Sequence, residues 1–303
     1  MNYCPTIDLV IPCYNSAHIV EKCVSSVLNQ DYDNSIKIFL IDDGSTDQTP
    51  ELLRSFSKKP NVTIIHHEQN MGLASARNTG IKAGNSEIIC FLDSDMVVGE
   101  NWIRSHIEIL SHNNVVGVIG DSTIPKKEPE NALDKYLYDR RRGARQFGER
   151  ERINFQYFLF NNTSIRRSVF EIIDLFDEKI TTYGGEDTEL AIRLWEVYPD
   201  SLRFSSKAVS EHHHKRSLDT FCELMFQYGK HNLSSLITQF PQYTNQLGGQ
   251  WIHSIKGYSL FNPIVRWGAQ KTHQFCDHYW LTRYLVVDAV IRGARSFSVN
   301  KRG

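Results

Sequence analysis

The chain has 303 residues, 41% of them hydrophobic, and its 34 lysines and arginines nearly balance 35 aspartates and glutamates. This length suits one large α/β domain with an appendage or two modest domains, and no stretch reaches the roughly 18 to 20 apolar residues that would span a bilayer. Six cysteines lie scattered without C-x-x-C spacing, and no basic or apolar leader opens the sequence. We therefore expect reduced thiols in a cytoplasmic protein that binds no nucleic acid.

The first 92 residues alternate between apolar, β-branched runs and segments of helical periodicity. The predicted strands cover residues 7–12, 36–41, 62–66 and 87–92. The predicted helices cover about residues 18–29, 50–57 and 72–84. This alternation predicts a doubly wound, mostly parallel sheet flanked by helices.

Two carboxylates, Asp93 and Asp95, follow the fourth predicted strand with only Ser94 between them. Ligands of open α/β sheets gather beyond the carboxyl ends of the strands. Adjacent carboxylates repel unless a cation is present, and their oxygen ligands suit Mg²⁺ or Mn²⁺. The pattern indicates a divalent metal that holds the phosphates of a nucleotide, and a solvated turn is the alternative.

Polar residues also follow the first two strands. Tyr14 offers a flat face on which a base could stack, and Asp43 could accept the imide N–H of a pyrimidine. A rim aromatic and a turn residue are the respective alternatives. Because the residues from Pro12 to Asn15 stand where a G-x-G-x-x-G would be, a dinucleotide-binding Rossmann domain is disfavoured.

The second half of the chain shows weaker alternation. We predict strands at 115–119, 155–160 and 202–210, helices at 102–111 and from about 167, and mostly helix from 217 onward. The arginine-rich stretch 135–152 is interpreted as a solvated helix, with a lid or an anion-binding surface as the alternative.

Two glycines precede Glu186 and Asp187, and a helical run follows them. Asp187 then falls in the first turn of a helix, where the macrodipole favours its ionised form, as a general base for a hydroxyl requires. An acidic helix cap is the alternative. In the run of three histidines at 212–214, one imidazole could complete a metal site opposite Asp95.

Together these stretches resemble family 2 glycosyltransferases. The matching segments are VIPCYN at 10–15, IDDGSTD at 41–47, NMGLASARNTGI at 70–81, FLDSD at 91–95 and GGEDTELAIRL at 184–194. The resemblance implies a GT-A fold and inverting transfer of a sugar from a nucleotide-diphosphate donor. It divides the chain into a nucleotide-sugar-binding half at 1–120, an acceptor-binding half with the catalytic base at 121–230, and a helical C-terminal extension at 231–303.

The resemblance also implies roles for individual residues. Asp187 matches the catalytic base with Glu186 beside it on the acceptor side, and Asp95 matches the ligand of Mn²⁺ or Mg²⁺. His212 matches a further metal ligand, and His214 is the next choice. Nucleotide-binding positions are Pro12, Tyr14, Asn15, Asp43, Gly72, Asn78, Asp93 and Ser94.

The resemblance further implies a hexosyl or N-acetylhexosaminyl transferase in polysaccharide biosynthesis, with a UDP-sugar as donor and a glycan or lipid-linked saccharide as acceptor. A nucleotidylyltransferase would normally carry a Gly-rich basic loop after its first strand, which IPCYNSA lacks. A non-catalytic sugar-nucleotide-binding relative would be expected to lose Asp95 or Asp187, and both are present.

From Trp251 onward eight lysines and arginines face only Asp277 and Asp288, and aromatic residues are frequent. This composition is typical of a surface that lies on an anionic membrane, in this case at the inner face, which would suit a lipid-linked acceptor. The alternative is that the aromatics pack inside the protein or form a homodimer contact. Apolar positions between Tyr279 and Arg292 spread widely round a helix, which favours burial.

Overall fold

The computed structural model describes residues 3–125, 130–214 and 216–300, the last four of these by their backbone only. The chain forms two compact units. The first comprises Met1–Lys126, Gly143–Thr181 and Glu186–His214. The second comprises Lys127–Arg142, Thr182–Gly185 and Lys215–Gly303.

A mixed sheet forms the centre of the first unit. In the described part of the chain it has eight strands in the order β3-β2-β1-β4-β7-β6-β8-β5. The strands are β1 Ile7–Cys13, β2 Ile36–Asp42, β3 Val62–His66, β4 Ile88–Leu92, β5 Met96–Val98, β6 Gly117–Thr123, β7 Asn162–Arg166 and β8 Leu202–His212. Strands β1 to β4 pair in parallel, whereas β7 runs antiparallel to β4 and β6, and β5 runs antiparallel to β8. The predicted α/β class is confirmed, with the parallel pairing concentrated in the N-terminal half.

Helices accompany the sheet in the first unit and dominate the second. The first unit contains α1 Val20–Leu28, α2 Thr49–Arg54, α3 Leu73–Ala83, α4 Trp102–Leu110, α6 Phe170–Ile173 and α7 Glu186–Val197. The second contains α5 Ala132–Leu137, α8 Leu218–Tyr228, α9 Ser234–Gln239, α10 Ile255–Leu260, α11 Pro263–His273 and α12 Tyr279–Asn300. A π-helical turn, Gly229–Leu233, joins α8 to α9.

The strand predicted at 155–160 is wrong. Residues Phe155–Tyr157 form a short 3-10 turn, and the strand is Asn162–Arg166. The phenylalanines between 155 and 160 are buried through aromatic packing rather than by alternation, with the rings of Phe158 and Phe160 5.3 Å apart and edge to face. The strand itself buries polar residues, and Asn162 accepts hydrogen bonds there from Trp102. Hydrophobic periodicity cannot find a strand of that kind.

Helix α3 approaches the sheet closely because it carries a glycine where it crosses β1. A Cβ atom at Gly80 would lie 2.4 Å from a methyl carbon of Val10, so only glycine fits there. The close approach brings the buried face of α3, with Arg77 on it, against the carboxyl end of the sheet. The fold thereby places a cation beside the strand ends that carry the acidic residues.

The second unit is held together by two small apolar clusters and one buried charge group. Leu133, Phe221 and Val286 belong to one cluster, and Leu233 and Ile291 to the other. In α12 the carboxylate of Asp288 is 1% exposed and pairs with Arg266 at 2.6 Å and with Arg292 at 3.1 Å. Among the residues described, no helix combines the length and the apolar character that crossing a membrane would need.

Candidate active site

The two carboxylates that follow β4 point to different neighbours. Asp93 Oδ1 lies 3.3 Å from Nη2 of Arg77, and Asp95 Oδ2 lies 3.1 Å from Nε2 of His212. Backbone bonds fix the turn between them, since Met96 N–H donates to Asp93 O and Asp93 N–H donates to Asn161 O. The D-x-D sequence therefore supplies one carboxylate to a buried arginine and one to a histidine.

Arg77 joins residues from three elements in one ion-pair group. Its guanidinium is 1% exposed and contacts Asp187 at 2.5 Å, Asp93 at 3.3 Å and Glu186 at 3.8 Å. It also lies over the ring of Phe176, 5.3 Å from the centroid. Because a buried guanidinium is stable only when anions surround it, these carboxylates fix the position of Arg77 and are fixed by it.

Asp187 stands in the first turn of α7, as predicted. Its Oδ1 accepts from Arg77 and its Oδ2 accepts from the backbone N–H of Phe160 at 3.2 Å. The side chain remains 16% exposed, against 8% for Glu186. Each Asp187 oxygen has a lone pair to spare, so the carboxylate can still accept a further proton donor.

Burial raises two pKa values in this group, and neighbouring carboxylates add to the rise. Burial and the neighbouring Asp187 raise the pKa of Glu186 to about 7, against the opposing effect of Arg77. Burial raises the pKa of Asp93 to about 6, with Arg77 opposing and Asp95 adding to the rise. For Arg77 burial works against the charged form, but the carboxylates, Asp187 foremost, outweigh it and raise its pKa.

Asp95 and His212 meet because β5 pairs with β8. Met96 is the register partner of His212, and the N–H of His213 donates to Asp95 O at 2.8 Å. The ring of His214 lies 5.0 Å from that of His212. A carboxylate oxygen and an imidazole nitrogen 3.1 Å apart suit Mn²⁺, which accepts both ligand types. No third His, Cys, Asp or Glu in the described ranges completes an all-protein metal cluster with them, so such an ion would need ligands from a bound phosphate.

Asn15 connects the loops that follow β1 and β2. Its Oδ1 accepts from Thr46 N–H at 2.9 Å, and its own N–H donates to Ser45 Oγ at 3.1 Å. The residue has a φ of +48°, a left-handed conformation that asparagine tolerates. Next to it the ring of Tyr14 is 49% exposed, and a planar group could stack on it.

Asp43 is more enclosed than a turn residue would be, with a side chain 5% exposed. Its carboxylate accepts from the backbone N–H groups of Met71 and Gly72, each at 2.9 Å, and contacts His67 Nδ1 at 2.6 Å. These bonds fix the entry to α3, where Gly72 has a φ of +92°. Contact of Asp43 with a base stays a prediction, in which the carboxylate would accept one further hydrogen bond from the base.

The other predicted nucleotide-binding residues lie at different depths. Pro12 is buried in β1 opposite Ile41, and Ser94 is buried in the turn after β4. Asn78 is 2% exposed, and its amide donates to Phe176 O and Glu178 Oε1 while accepting from Phe176 N–H. Asn78 therefore connects the loop after α6 to α3 through hydrogen bonds.

The central place of Arg77 and the contact of His67 with Asp43 were not predicted from the sequence. For Arg77 a signal existed, because it lies at helical spacing from Ala74, Gly80 and Ile81, all of which are buried. A lone cation on the buried face of a helix requires anions opposite. For His67 no comparable sequence pattern exists, because it is a single polar residue that follows a strand.

Residues 8–173, more than half of the chain, match the family model described as glycosyl transferase family 2. The chain belongs to this family, as the sequence motifs implied.

Similar proteins are named as glycosyltransferases. Glycosyltransferase GlyG of Streptococcus pneumoniae is 38% identical over 116 residues, 38% of this chain and 38% of the relative. Glycosyltransferase AglE of Haloferax volcanii is 31% identical over 134 residues, 44% of each chain. The matches thus span less than half the length of these two relatives.

Solved structures share the fold over nearly the whole chain. Mannosyltransferase PcManGT from Pyrobaculum calidifontis, in complex with GDP-Man and Mn²⁺, has a TM-score of 0.63 at 16% identity, covering 96% of this chain and 88% of that one. S. aureus TarS 1-349 in complex with UDP-GlcNAc has a TM-score of 0.56 at 16% identity, covering 98% and 91%. The GT-A fold that the resemblance implied is confirmed.

Proposed function

We propose that the protein transfers a sugar from a nucleotide-diphosphate donor to a hydroxyl group, with inversion at the anomeric carbon. The observation that carries the proposal is the position of Asp187, whose carboxylate shares Arg77 with Asp93 at the end of β4. A proton acceptor and the strand end expected to hold the donor thus lie on either side of one guanidinium. Such a juxtaposition suits transfer between two bound substrates.

In the proposed step Asp187 accepts the proton of the acceptor hydroxyl. The hydroxyl oxygen attacks the anomeric carbon while the bond from that carbon to the diphosphate breaks, and the electron pair leaves with the diphosphate. One displacement inverts the anomeric centre and requires no second carboxylate as nucleophile. Glu186 stands beside Asp187 on the acceptor side.

Arg77 and the Phe160 N–H would orient Asp187 during this step, because each binds one of its two oxygens. Arg77 is therefore proposed as a positioning residue rather than as a group that touches the donor.

Asp95 and His212 are proposed to hold Mn²⁺ or Mg²⁺, with His214 as the alternative histidine. Bound there, the ion would neutralise charge that develops on the leaving diphosphate. Support comes from the pairing of the two side chains at 3.1 Å and from the Mn²⁺ in the PcManGT complex.

We propose a UDP-sugar as donor, with a hexose or N-acetylhexosamine transferred to a glycan or lipid-linked saccharide. The exposed ring of Tyr14 supports base stacking, and the two related structures hold UDP-GlcNAc and GDP-Man. The acceptor, the cytoplasmic location and a role in polysaccharide biosynthesis follow from the family resemblance and stay predictions.

A donor panel tests the proposal. Melting curves with UDP-, GDP-, dTDP- and CDP-sugars plus Mn²⁺ should show stabilisation by one base, since a ligand that binds only the native state raises its stability. The stabilising donor should then be turned over, and NMR of the product should show the inverted anomer. Stabilisation without turnover on any acceptor would indicate a non-catalytic nucleotide-sugar-binding protein.

A further inference from the structure

Helix α11 turns its large apolar side chains toward solvent instead of toward the protein. A helix at a protein surface normally turns its apolar residues inward, yet none of the residues of α11 is buried. Ile264 is 81% exposed and Trp267 is 64% exposed, and they lie at i and i+3, on one side of the helix. Lys271 continues the same side at i+7 and is also exposed. We name this side, Ile264, Trp267 and Lys271, the α11 face.

The opposite side of α11 faces α12 and makes polar contacts with it. Arg266 donates from Nε to the buried Asp288 of α12 at 2.6 Å, and His273 Nε2 lies 3.2 Å from Thr282 Oγ1. These contacts fix the helix with its apolar side chains outward. Exposing them to water forgoes the stabilisation that burial would bring, so the orientation favours a surface that something else covers.

Further apolar side chains of the second unit share this exposure. Ile255 in α10 is 87% exposed, and Phe275, two residues after α11, is 89% exposed. Tryptophan and phenylalanine beside lysine form the composition that binds in the headgroup region of a bilayer. The aromatics of this region thus divide: Phe261 and Tyr279 are buried as the packing alternative expected, and Trp267 and Phe275 are not.

Charge decides between a membrane and a second copy of the chain. After Glu223 the sequence contains only two acidic residues, Asp277 and Asp288, against nine lysines and arginines. Asp288 is buried between its two arginines, and Asp277 lies 3.6 Å from Lys135. A second copy would bring the same basic surface against this one and be repelled, whereas an anionic surface would be attracted.

We infer that the α11 face, with Ile255 and Phe275, binds the surface of a membrane containing anionic lipid. The basic side chains provide attraction over about a Debye length, and the apolar ones enter the headgroup region. This inference goes beyond the proposed transfer reaction and does not depend on it, because binding to vesicles needs neither donor nor acceptor.

Flotation of the full chain with vesicles tests the inference. The protein should float with vesicles of phosphatidylcholine and phosphatidylglycerol, less so at high salt, and should stay in solution with phosphatidylcholine alone. The double variant I264S/W267S should lose at least about tenfold in partitioning, because two apolar anchors are removed. The matched control I172S/V197S removes apolar side chains that are 64% and 45% exposed in the first unit and should float like the wild type.

Two further arms separate this account from a general charge effect or an unfolded variant. K256E/K271E should weaken flotation, whereas K58E/K59E, an equal change at exposed lysines of the first unit, should not. Every variant should retain the wild-type melting temperature. W267F should float normally but show less fluorescence quenching by brominated lipid, which places Trp267 at the bilayer.

The inference is overturned if the full chain does not float with anionic vesicles, or if both double-serine variants float alike. The opposing outcome is a wild type that fails to float and forms a dimer in analytical ultracentrifugation. If I264S/W267S is then a monomer, the α11 face is a contact between copies of the chain. Because flotation is read without substrate, its failure leaves the transfer proposal standing, and absence of turnover leaves the membrane inference standing.

Discussion

Nη1 of Arg77 lies 2.5 Å from Oδ1 of Asp187, a residue 110 positions further along the chain. The pair brings together the buried face of α3 and the first turn of α7, and Asp93 and Glu186 extend it to three carboxylates around one guanidinium. Three acidic groups can stay this close only because the cation is buried among them.

Removing the cation should therefore destabilise the protein strongly. Arg77→Met leaves Asp93, Glu186 and Asp187 without their partner, and breaking a buried pair typically costs about 3 to 5 kcal/mol in the free energy of unfolding. Urea unfolding measures this cost. Lys82→Met is the matched control, because Lys82 lies on the same helix with a side chain 63% exposed and should change stability little. Equal midpoints for the two variants would remove Arg77 from its structural role.

Glu186 should make stability depend on pH. Since folding raises its pKa from 4.5 to about 7, the native protein binds the Glu186 proton more tightly than the unfolded chain does. Its contribution is most favourable below pH 4.5 and is lost as the pH rises to about 7. Glu186→Gln carries no charge at any pH, so the variant should gain up to about 3 kcal/mol over the wild type between those limits, as the shift in pKa implies.

The measurement for Glu186 is a series of unfolding curves from pH 4.5 to 8. The difference between Glu186→Gln and the wild type should widen as the pH rises and level off above 7. Glu21→Gln, a change at an exposed position of α1, supplies the control and should follow the wild type at every pH. A constant difference for Glu186→Gln would show that Arg77 compensates the burial of this carboxyl fully.

Metal dependence of nucleotide binding should be lost with Asp95. Carboxylates are harder ligands than imidazoles for Mn²⁺ and Mg²⁺, so Asp95→Ala should abolish the metal-dependent part of the affinity while His212→Ala weakens it less. Calorimetry with UDP, in Mn²⁺ and in EDTA, measures both. Glu100→Ala removes an exposed carboxylate nearby in the sequence and should bind as the wild type does. The same wild-type affinity in Mn²⁺ and EDTA would exclude the metal role.

Much of the N-terminal half of the fold could be predicted because three of its strands, β1, β2 and β4, are apolar and largely buried on both faces. Strands β1 to β4 and helix α3 lie within a few residues of their expected positions, and the acidic residues after β4 lie at a strand end as the pattern indicated. Parallel strands of this kind carry a strong hydrophobic signal.

Prediction failed where burial is achieved with polar residues or by very short elements. Strand β7 buries Asn162 and Ser164, which hydrogen-bond to neighbours including His106, so its sequence does not look like a core strand. Strand β5 has three residues, too few for any periodicity. Yet β5 is what brings Asp95 to His212, so the sequence could nominate both residues without showing how they meet.

The part played by Arg77 could not be read from local pattern alone. Its partners come from positions 93, 186 and 187, and only the folded chain shows that one guanidinium reaches all of them. Long-range ion pairs leave no spacing rule in the sequence.

The most direct test of the account is donor turnover by Asp187→Asn, using the donor that the melting panel selects. Asparagine keeps the size of the side chain but cannot accept the proton, so the variant should bind donor as the wild type does and turn it over about 10² to 10⁴ times more slowly. Turnover within a few-fold of the wild type, at unchanged donor affinity, would contradict the assignment of Asp187 as the general base.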